Sequence, residues 1–448
     1  MFAASLIWLF GLPGGWVLDD HSLLELHFPE DISFAQRPLT YLTFWLNFAL
    51  GPVEPWAFRL TNIAIHAASV QLCYTALKRL LDEKQAFWAT LIFAIHPLQS
   101  EAVLYIFARP ILLMGALTWA ALAKWLDKSY YWSVAFFTLA LLAKEEAIAF
   151  PVFLLLLHFA QNRDKSERPA LAVAFALALA TGLLSLFTTT RIQGSGAGLQ
   201  SGISPLSYFA TQFHVVSHYF TNFVFPYPIV FDETPNPVAA WHAIFWLIPL
   251  AFLIHLRKQA WALPVAAAFI FLFPTSSVFP LADLAAARRT YIPIAFMSMA
   301  IVPAFRYAAL PATLFTIYYC RLWSNNESLW RNSYEHTSAL RPALELSRLV
   351  NPEEARQILA SRESQGANNP NYHTELGRLA MQDRDAATAL KHFGKALALD
   401  PDRASHYYNR GAALFALGQR EAALEDFQRT LKIDPTHRLA QQAIQRAK

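Results

Sequence analysis

Acidic and imidazole side chains stand where several apolar stretches of this chain end, and they are its first candidates for chemistry. Asp19-Asp20-His21 follows an opening apolar stretch, so two neighbouring carboxylates could supply a general base and a metal or hydroxyl ligand. A solvated loop would explain the same pair without any chemistry. His96 and Glu101 close a later apolar stretch and Arg109 follows them, an arrangement that a salt bridge at a helix end would also explain.

Cationic side chains recur at similar places. Lys144 and Glu145 occupy a short turn between two apolar stretches, while Arg191, Arg288 and Arg289 stand at other stretch ends. Such cations could hold a lipid phosphate or pyrophosphate, because charge-assisted hydrogen bonds to phosphate are strong. Ordinary contact with lipid head groups is the alternative. An ionisable residue costs roughly 2.5–3.5 kcal/mol at the centre of a membrane helix, so its presence near a membrane invites a functional interpretation. All these charged residues together favour a functional site more strongly than any one of them alone.

The elements that must position these residues follow from composition. The chain is 55% hydrophobic and only 15% charged, and its charged residues divide into 35 within residues 1–320 and 33 within residues 321–448. This change in density predicts two domains in two solvents, a transmembrane domain over 1–322 and a water-soluble domain over 323–448. A net charge of +4 without a basic cluster excludes a nucleic-acid partner.

A bilayer core needs about 20 apolar residues per helix, which predicts an all-α bundle of about eleven spans. The predicted spans are roughly 2–17, 56–77, 86–98, 110–126, 130–143, 146–160, 169–190, 239–256, 260–280, 290–306 and 307–320. The first is expected to be retained, because Met1–Trp16 lacks a basic region and a cleavage site. Arg37–Leu50 is interpreted as a helix at the interface, and Tyr208–Pro226 as interfacial or re-entrant.

Basic residues of the short loops predict the orientation of the bundle. Clusters near Lys78, Lys124, Arg163 and Arg257 stand at alternate span ends and can all face the cytoplasm. The Asp19-Asp20 loop then faces the other side, and eleven crossings place the C-terminal domain there as well.

The soluble region contains a repeat of 34 residues, the period of the tetratricopeptide (TPR) helix–turn–helix unit. Equivalent residues of the two clear repeats are Gly377 and Gly411, Ala389 and Ala423, Phe393 and Phe427, Leu397 and Leu431, Asp400 and Asp434, and Pro401 and Pro435. A third, degenerate repeat lies upstream, where Ala343 replaces the glycine and Pro342 should shorten the first helix. These features predict an α-solenoid.

Several classes of site are not indicated. No glycine-rich phosphate loop of nucleotide-binding spacing occurs, which disfavours a nucleotide-sugar donor, and no serine-nucleophile or zinc spacing is present. Cys73 and Cys320 both lie in apolar stretches and indicate no disulfide framework.

Motifs over nearly the whole chain, in this order and followed by the repeats, resemble the transmembrane and tetratricopeptide-repeat O-mannosyltransferases of the GT-C superfamily. The motifs are Trp16–His21, Arg37–Leu42, Phe58–Ile63 with His66, His96-Pro97 with Glu101–Val103, Leu142–Glu145, Phe225–Pro228, Pro280–Asp283 and Arg289–Pro293.

The resemblance implies a polyprenyl-phosphate sugar donor, a polar acceptor that is typically a protein Ser or Thr, and an acidic catalytic base in the first far-side loop. That base corresponds to Asp19 or Asp20, and the reaction would invert the anomeric configuration. The expected ligands of the donor phosphate are Arg109, Lys144, Arg191, Arg288 and Arg289, with support from Arg37, His96, Glu101, Glu145, Asp283 and Tyr291. A divalent metal is possible in such a site. The expected location is the bacterial inner membrane, with the TPR domain on the periplasmic side and gripping the acceptor protein.

Two departures from the family pattern affect this expectation. Relatives usually have an acid shortly after the first arginine, where this chain has Arg109-Pro110-Ile111, and they often have Glu where it has Ala287. Altered specificity or reduced activity would follow if those acids have roles. The alternative function is a non-catalytic scaffold in which the spans anchor TPR repeats for envelope assembly. A flippase for a lipid-linked sugar ranks lowest, because the acidic residues do not cluster near the midplane of the membrane, where coupling sites usually lie.

Overall fold

The computed structural model describes residues 1–26, 37–161, 165–191, 203–233, 235–255, 259, 261–305, 307 and 309–447, and all regular structure in these ranges is helical. Two compact units divide the chain, Met1–Leu329 and Trp330–Lys448. The predicted basic cluster at 257–258 lies outside the described residues, as does Arg163 of the cluster before it.

The first unit is built from helices that coincide with most of the predicted apolar stretches. Its α-helices are α1 Pro38–Leu50, α2 Pro55–Leu77, α3 Glu83–Ile95, α4 Ser100–Leu104, α5 Arg109–Leu126, α6 Tyr130–Ala143, α7 Ala149–Gln161, α8 Arg168–Arg191, α9 Pro205–Val224, α10 Leu247–His255, α11 Ala262–Leu272, α12 Tyr291–Phe305 and α13 Ala309–Trp323. Short 3-10 helices lie at Phe2–Gly11, Leu18–Glu25, Pro97–Gln99, Ile106–Ala108, Glu145–Ile148, Lys165–Glu167, Ala240–Trp246 and Ala287–Thr290.

Local sequence explains several helix starts. Proline occupies the first turn of α1, α2, α5 and α9, where the missing N–H has no intrahelical partner to lose. Asp82 caps α3 by accepting a hydrogen bond from the Gln85 N–H at 2.9 Å. The core forms where α5 packs against α2 and α6, and where α12 packs against α3 and α11. Trp119 of α5 and Phe93 of α3 are fully buried there.

The N-terminal segment differs from the predicted first span. It is helical only over Phe2–Gly11, because Pro13-Gly14-Gly15 interrupts the helix before residue 17. A Cβ atom at Gly14 would lie 1.9 Å from the Trp323 carbonyl oxygen, so this close approach requires glycine. The fully buried Arg59 of α2 fixes the segment by donating to the Gly15 carbonyl at 2.7 Å and to that of Leu104 at 2.9 Å.

Membrane-spanning character is visible in two helices of the described residues. Ile106–Leu126 and Lys165–Thr188 are long and apolar enough to cross a bilayer, and Phe2–Gly11, Tyr130–Ala143, Ala240–Ala251 and Ala262–Leu272 are shorter apolar helices. The segment Ile106–Leu126 is 78% buried within its unit. The segment Lys165–Thr188 is only 17% buried, so most of its apolar surface faces outward.

The second unit consists of paired helices, as the 34-residue period predicts. Helix α14, Asn326–His336, begins in the first unit and ends in the second, and it is followed by α15 Leu340–Ser347, α16 Pro352–Ala360, α17 Glu363–Gly366, α18 Pro370–Gln382, α19 Ala386–Leu399, α20 Ala404–Ala416, α21 Arg420–Ile433 and α22 Arg438–Ala447. The pair α18–α19 and the pair α20–α21 are the two clear repeats. Helix α15 has only eight residues, with Pro342 in its first turn.

Glycine lets each of these pairs close. A Cβ atom at Gly377 would lie 2.5 Å from the Phe393 ring, and one at Gly411 would lie 2.8 Å from the Phe427 ring. The same contact therefore recurs 34 residues later. The predicted all-helical fold with C-terminal tetratricopeptide repeats is confirmed.

Candidate active site

A cavity of about 1160 Å³ in the first unit collects most of the residues predicted for the site. Seven of them line it: Asp19, Arg37, Lys144, Glu145, Asp283, Arg288 and Arg289. They come from the Leu18–Glu25 turn, the residue preceding α1, the turn between α6 and α7, and the loop between α11 and α12. Residues distant in sequence thus meet around one space.

Asp19 and Asp20 are adjacent in sequence but have different surroundings. Asp20 is fully buried, and its Oδ1 accepts a hydrogen bond from the Phe107 N–H at 2.8 Å while its Oδ2 accepts one from the Val17 N–H at 3.0 Å. Burial raises the pKa of Asp20 to about 7, although the two backbone donors act to lower it. Both carboxyl oxygens of Asp20 accept hydrogen bonds from backbone N–H groups, so this side chain connects the 3-10 helix Leu18–Glu25 to the segment before α5.

Asp19 is exposed at the cavity. Its Oδ2 accepts a hydrogen bond from the Tyr105 hydroxyl at 3.1 Å, and this hydroxyl also accepts one from the Asp19 N–H at 3.2 Å. Tyr105 thus holds one carboxylate oxygen of a residue that is exposed and lines the cavity. Asp19 therefore has the access that a general base needs.

The turn between α6 and α7 presents two ion pairs to the cavity. Arg37 donates from Nε to Glu145 Oε2 at 2.9 Å and from Nη2 to Oε1 at 2.6 Å, a bidentate geometry. Lys144 Nζ lies 2.9 Å from Glu146 Oε1. Burial acts to raise the pKa of Glu145, but the Arg37 charge and hydrogen bonds exceed that effect and lower the pKa to about 2. The Arg37–Glu145 pair is therefore ionised at neutral pH.

The loop between α11 and α12 brings two further cations. Arg288 is held between Glu101 and Asp283, with its Nη1 bonded to Glu101 Oε1 and its Nη2 2.5 Å from Asp283 Oδ2. Arg289 instead donates to the backbone carbonyls of Asp283 and Leu284. Among the described residues Arg289 forms no direct salt bridge, unlike Arg288 and Lys144, which suits its guanidinium to an anionic ligand.

Among the predicted phosphate ligands, Arg109 lies elsewhere. Its guanidinium is fully buried and donates to Asn62 Oδ1 at 2.8 Å, to the Thr43 carbonyl at 3.0 Å and to the Phe58 carbonyl at 3.1 Å. Arg109 also lies over the Phe44 ring, with Cζ 4.2 Å from the ring centroid. These contacts join α5 to α1 and α2, and the side chain does not line the cavity.

Other predicted site residues are also placed behind the cavity. His96 accepts a hydrogen bond from the Leu98 N–H at Nδ1 and donates from Nε2 to the Phe223 carbonyl at 3.0 Å, so it is a neutral structural cap. Tyr291 is fully buried with its hydroxyl 2.9 Å from His66 Nδ1. Glu101 reaches the site only through Arg288. The side chain of Arg191 at the end of α8 lies outside the described residues.

Two contributions were not predicted. Glu146 lines the cavity and pairs with Lys144, and its position beside the predicted Lys144-Glu145 pair is a signal that could have identified it. The cavity also has an extended apolar wall, for which apolar helix patterns alone give no signal. The wall residues include Val152, Phe175, Ala178, Leu179, Gly182, Leu183, Leu186, Phe269, Ile270 and Phe273.

The apolar wall is formed largely by α8 and α11. Leu179 and Leu183 are 65% and 58% exposed, so the cavity continues into an open apolar surface. A Cβ atom at Gly182 would meet no other atom within 4 Å, so α8 has free space beside this residue. One cavity therefore combines a group of charged residues with an apolar wall.

The residues of this cavity do not fit a divalent cation. In the described part of the chain, no three His, Cys, Asp or Glu side chains converge closely enough to hold a metal ion. Glu145, Glu146 and Asp283 are each paired with an arginine or lysine. We therefore assign no step to a metal.

Three segments of the sequence match models of known protein families. Residues 35–185 match the dolichyl-phosphate-mannose-protein mannosyltransferase family. The matching segment contains Arg37, the Tyr105–Arg109 region and the Lys144–Glu146 turn, together with most of α8. Residues 385–418 and 404–437 match tetratricopeptide repeats.

Individual relatives agree with this match. The chain is 35% identical to human protein O-mannosyl-transferase TMTC3 over 122 residues, which are 25% of this chain and 13% of that protein. It is 43% identical to human protein O-mannosyl-transferase TMTC2 over 75 residues, 16% of this chain and 9% of that protein. It is 37% identical to the Caenorhabditis elegans protein O-mannosyl-transferase F38B6.6 over 90 residues, 19% of this chain and 13% of that protein.

The chain thus matches about an eighth or less of the length of each of these relatives. The predicted resemblance to O-mannosyltransferases with tetratricopeptide repeats is confirmed.

Proposed function

We propose that this protein is a membrane glycosyltransferase that moves a sugar from a polyprenyl-phosphate donor to the hydroxyl group of a protein Ser or Thr, with inversion. The observation that carries the proposal is the cavity lined by both charged residues and an apolar wall. A lipid-linked sugar has an anionic phosphate beside a long apolar chain, and the cavity offers cations beside an apolar wall. The similarity to protein O-mannosyl-transferases supports mannose as the first sugar to test.

Asp19 is the proposed general base. Its carboxylate would take the proton of the acceptor hydroxyl as the hydroxyl oxygen attacks the anomeric carbon. The bond between that carbon and the phosphate oxygen breaks, and the lipid phosphate leaves with the electron pair. Tyr105 orients Asp19 through its hydroxyl.

The cations of the cavity are assigned to the leaving phosphate. Arg289 is the first candidate, because it donates to the backbone carbonyls of Asp283 and Leu284 and forms no salt bridge among the described residues. Arg288 and Lys144 are held in place by carboxylates, so their N–H donors are already positioned and need not reorganise when the phosphate binds. Preorganised charge aimed at a leaving group is often the largest contribution to catalysis.

The four cations that line the cavity, Arg37, Lys144, Arg288 and Arg289, are balanced by the four carboxylates of Asp19, Glu145, Glu146 and Asp283. The formal charge of the lining is therefore zero. A donor with a single phosphodiester charge adds little repulsion to such a site, and this favours a monophosphate over a pyrophosphate donor.

The finer layout belongs to the same proposal. The chain would lie in the inner (plasma) membrane as a bundle of about eleven spans over 1–322, with the domain over 323–448 on the periplasmic side. The repeats would bind the acceptor protein, since solenoids of paired helices form extended binding surfaces.

The experiment is sugar transfer by the purified full-length chain in detergent. Radiolabelled polyprenyl-phosphate mannose and Ser/Thr peptides are the substrates, and mass spectrometry locates the new hexose. Arg289→Ala should reduce transfer by about 10²-fold or more. Arg79→Ala is the matched control, because Arg79 forms an ion pair with Asp127 and does not line the cavity. Equal activity in both variants, or no hexose on any peptide, would contradict the proposal.

A further inference from the structure

The loop between α11 and α12 carries Asp283, Arg288 and Arg289 to the cavity, yet its only regular structure is the 3-10 helix Ala287–Thr290. A loop without internal helix or strand bonds must be positioned by its neighbours. Helix α9, the segment that the sequence indicated as interfacial or re-entrant, contacts this loop through several side chains.

Helix α9 directs three buried side chains at the backbone of this loop. Tyr208, Gln212 and Tyr219 stand at positions i, i+4 and i+11, which share one face of a helix. The Tyr208 hydroxyl donates to the Thr275 carbonyl at 2.6 Å, and Gln212 Nε2 donates to the Leu284 carbonyl at 2.9 Å. These bonds hold the loop at its start and near its middle.

Tyr219 fixes the loop close to its two arginines. Its hydroxyl donates to the Ala286 carbonyl at 3.0 Å and accepts from the Ala286 N–H at 2.7 Å, and its side chain is 2% exposed. One hydroxyl therefore satisfies both backbone groups of a residue that lies two positions before Arg288. The Ala286 carbonyl also accepts a hydrogen bond from the Arg289 N–H at 3.1 Å, so the hydroxyl holds the residue to which the backbone of Arg289 is bonded.

Gln212 and Arg289 meet at a single atom. The Leu284 carbonyl accepts from Gln212 Nε2 at 2.9 Å and from Arg289 Nη1 at 3.2 Å. The helix thus contacts the carbonyl that also fixes the guanidinium. Neither Gln212 nor Tyr219 lines the cavity, so their influence on the cavity passes through the loop.

We infer that α9 is the platform of this cationic loop, and that Tyr219 and Gln212 are positioning residues that set Arg288 and Arg289 against the phosphate of the donor. This inference rests on the proposed function. It adds that a helix with no residue in the cavity controls the rate of transfer. A misplacement of about 1 Å in such groups can cost about 10²-fold in rate.

The test is Tyr219→Phe in the full-length chain, which removes the hydroxyl and keeps the ring. The matched control is Tyr319→Phe, because the Tyr319 hydroxyl accepts a hydrogen bond from the Ile229 N–H at 2.7 Å and is equally buried, away from the loop. We expect kcat to fall by about 10- to 100-fold for Tyr219→Phe, with the acceptor KM within about twofold of wild type. Thermal unfolding midpoints of the two variants should be similar.

A double-mutant cycle with Arg289→Lys separates positioning from a general structural effect. If Tyr219 acts through the loop, Tyr219→Phe should lower kcat much less in the Arg289→Lys background than in wild type. Additive losses, or a Tyr219→Phe variant as active as Tyr319→Phe, would overturn the inference.

Gln212→Leu removes the Nε2 donor at similar volume and gives the same comparison if Tyr219→Phe does not fold. Failure of the proposed function is a different result. In that case wild type itself would transfer no hexose to any peptide, whereas failure of this inference alone leaves wild type active and Tyr219→Phe as active as Tyr319→Phe.

Discussion

Asp19→Asn and Asp20→Asn should have opposite effects, although the two residues are neighbours. Asp19 is exposed at the cavity and one of its oxygens is held by Tyr105, whereas Asp20 is buried and bonded to two backbone N–H groups. General-base catalysis contributes about 10²–10⁴-fold, so Asp19→Asn should lower kcat by that factor, equivalent to about 2.7–5.4 kcal/mol. Because Asp19 is exposed, its replacement should change the free energy of unfolding by less than about 0.5 kcal/mol.

For Asp20→Asn the loss should appear in stability. An amide can accept from only one of the Phe107 and Val17 N–H groups and turns a donor toward the other, which costs roughly 1–3 kcal/mol. Transfer activity of the folded fraction should stay within about tenfold of wild type. Unfolding is followed by the fluorescence of the 13 tryptophans, and transfer by radiolabelled donor. A folded Asp20→Asn variant without activity, together with an active Asp19→Asn variant, would refute the assignment of the base.

The pH dependence of stability gives a separate test of Asp20. Burial raises the pKa of Asp20 from 3.8 to about 7, so the native state keeps a proton that the unfolded chain releases. The free energy of unfolding should therefore fall as pH rises from about 4 to about 7, by up to roughly 4 kcal/mol for this group. Asp20→Asn should lack this decrease. Equal slopes of the unfolding midpoint against pH in wild type and variant would contradict the raised pKa.

Three further outcomes are expected. Gly182→Leu should raise the donor KM by at least about tenfold, because the new side chain would occupy cavity volume proposed for the lipid. The unfolding midpoint should not fall, because a Cβ atom at Gly182 would meet no other atom within 4 Å. An unchanged donor KM would contradict a role of the apolar wall in donor binding. Gly377→Ala should destabilise the repeats by about 1–3 kcal/mol, because its Cβ atom would lie 2.5 Å from the Phe393 ring. Gly394→Ala is the control and should stabilise the repeats by about 0.5–1 kcal/mol, because a Cβ atom there would have no neighbour within 4 Å. Chemical denaturation that ranks the two variants the other way would contradict this packing. Glu145→Gln should lose less stability than wild type as pH falls from about 4.5 toward 2, because the contribution of the carboxylate with a pKa of about 2 is gone. An acid-unfolding profile identical to that of wild type would contradict a stabilising Arg37–Glu145 ion pair.

The helices were largely predictable because apolar runs end at charges, prolines and glycines. Predicted stretches 110–126, 130–143 and 169–190 correspond to α5, α6 and α8 within about two residues. The repeats were predictable for a different reason, since Gly377 and Gly411 mark a fixed period. The first stretch was not, because Pro13-Gly14-Gly15 stops the helix inside a run that is apolar throughout.

The candidate site was predictable only as a set of residues. Asp19 and Asp20 carry the same chemistry in sequence, and their difference comes from Phe107, which lies 87 residues further along the chain than Asp20. Arg109 and Arg289 both stand at helix starts, yet one is enclosed by α1 and α2 while the other reaches the cavity. Burial of this kind is decided by tertiary packing, which spacing along the chain does not encode.

The bond between Asp20 and Phe107 also has a consequence for the order of assembly. During synthesis the turn that holds Asp19 is made early, but the N–H group that anchors it is added only after four more helical segments, α1 to α4, have been made. The base therefore cannot occupy its final position until the start of α5 has emerged and docked. A nascent chain shorter than about 107 residues would contain Asp19 without the backbone donor that anchors its turn, so the proposed activity would require the start of α5 to be in place.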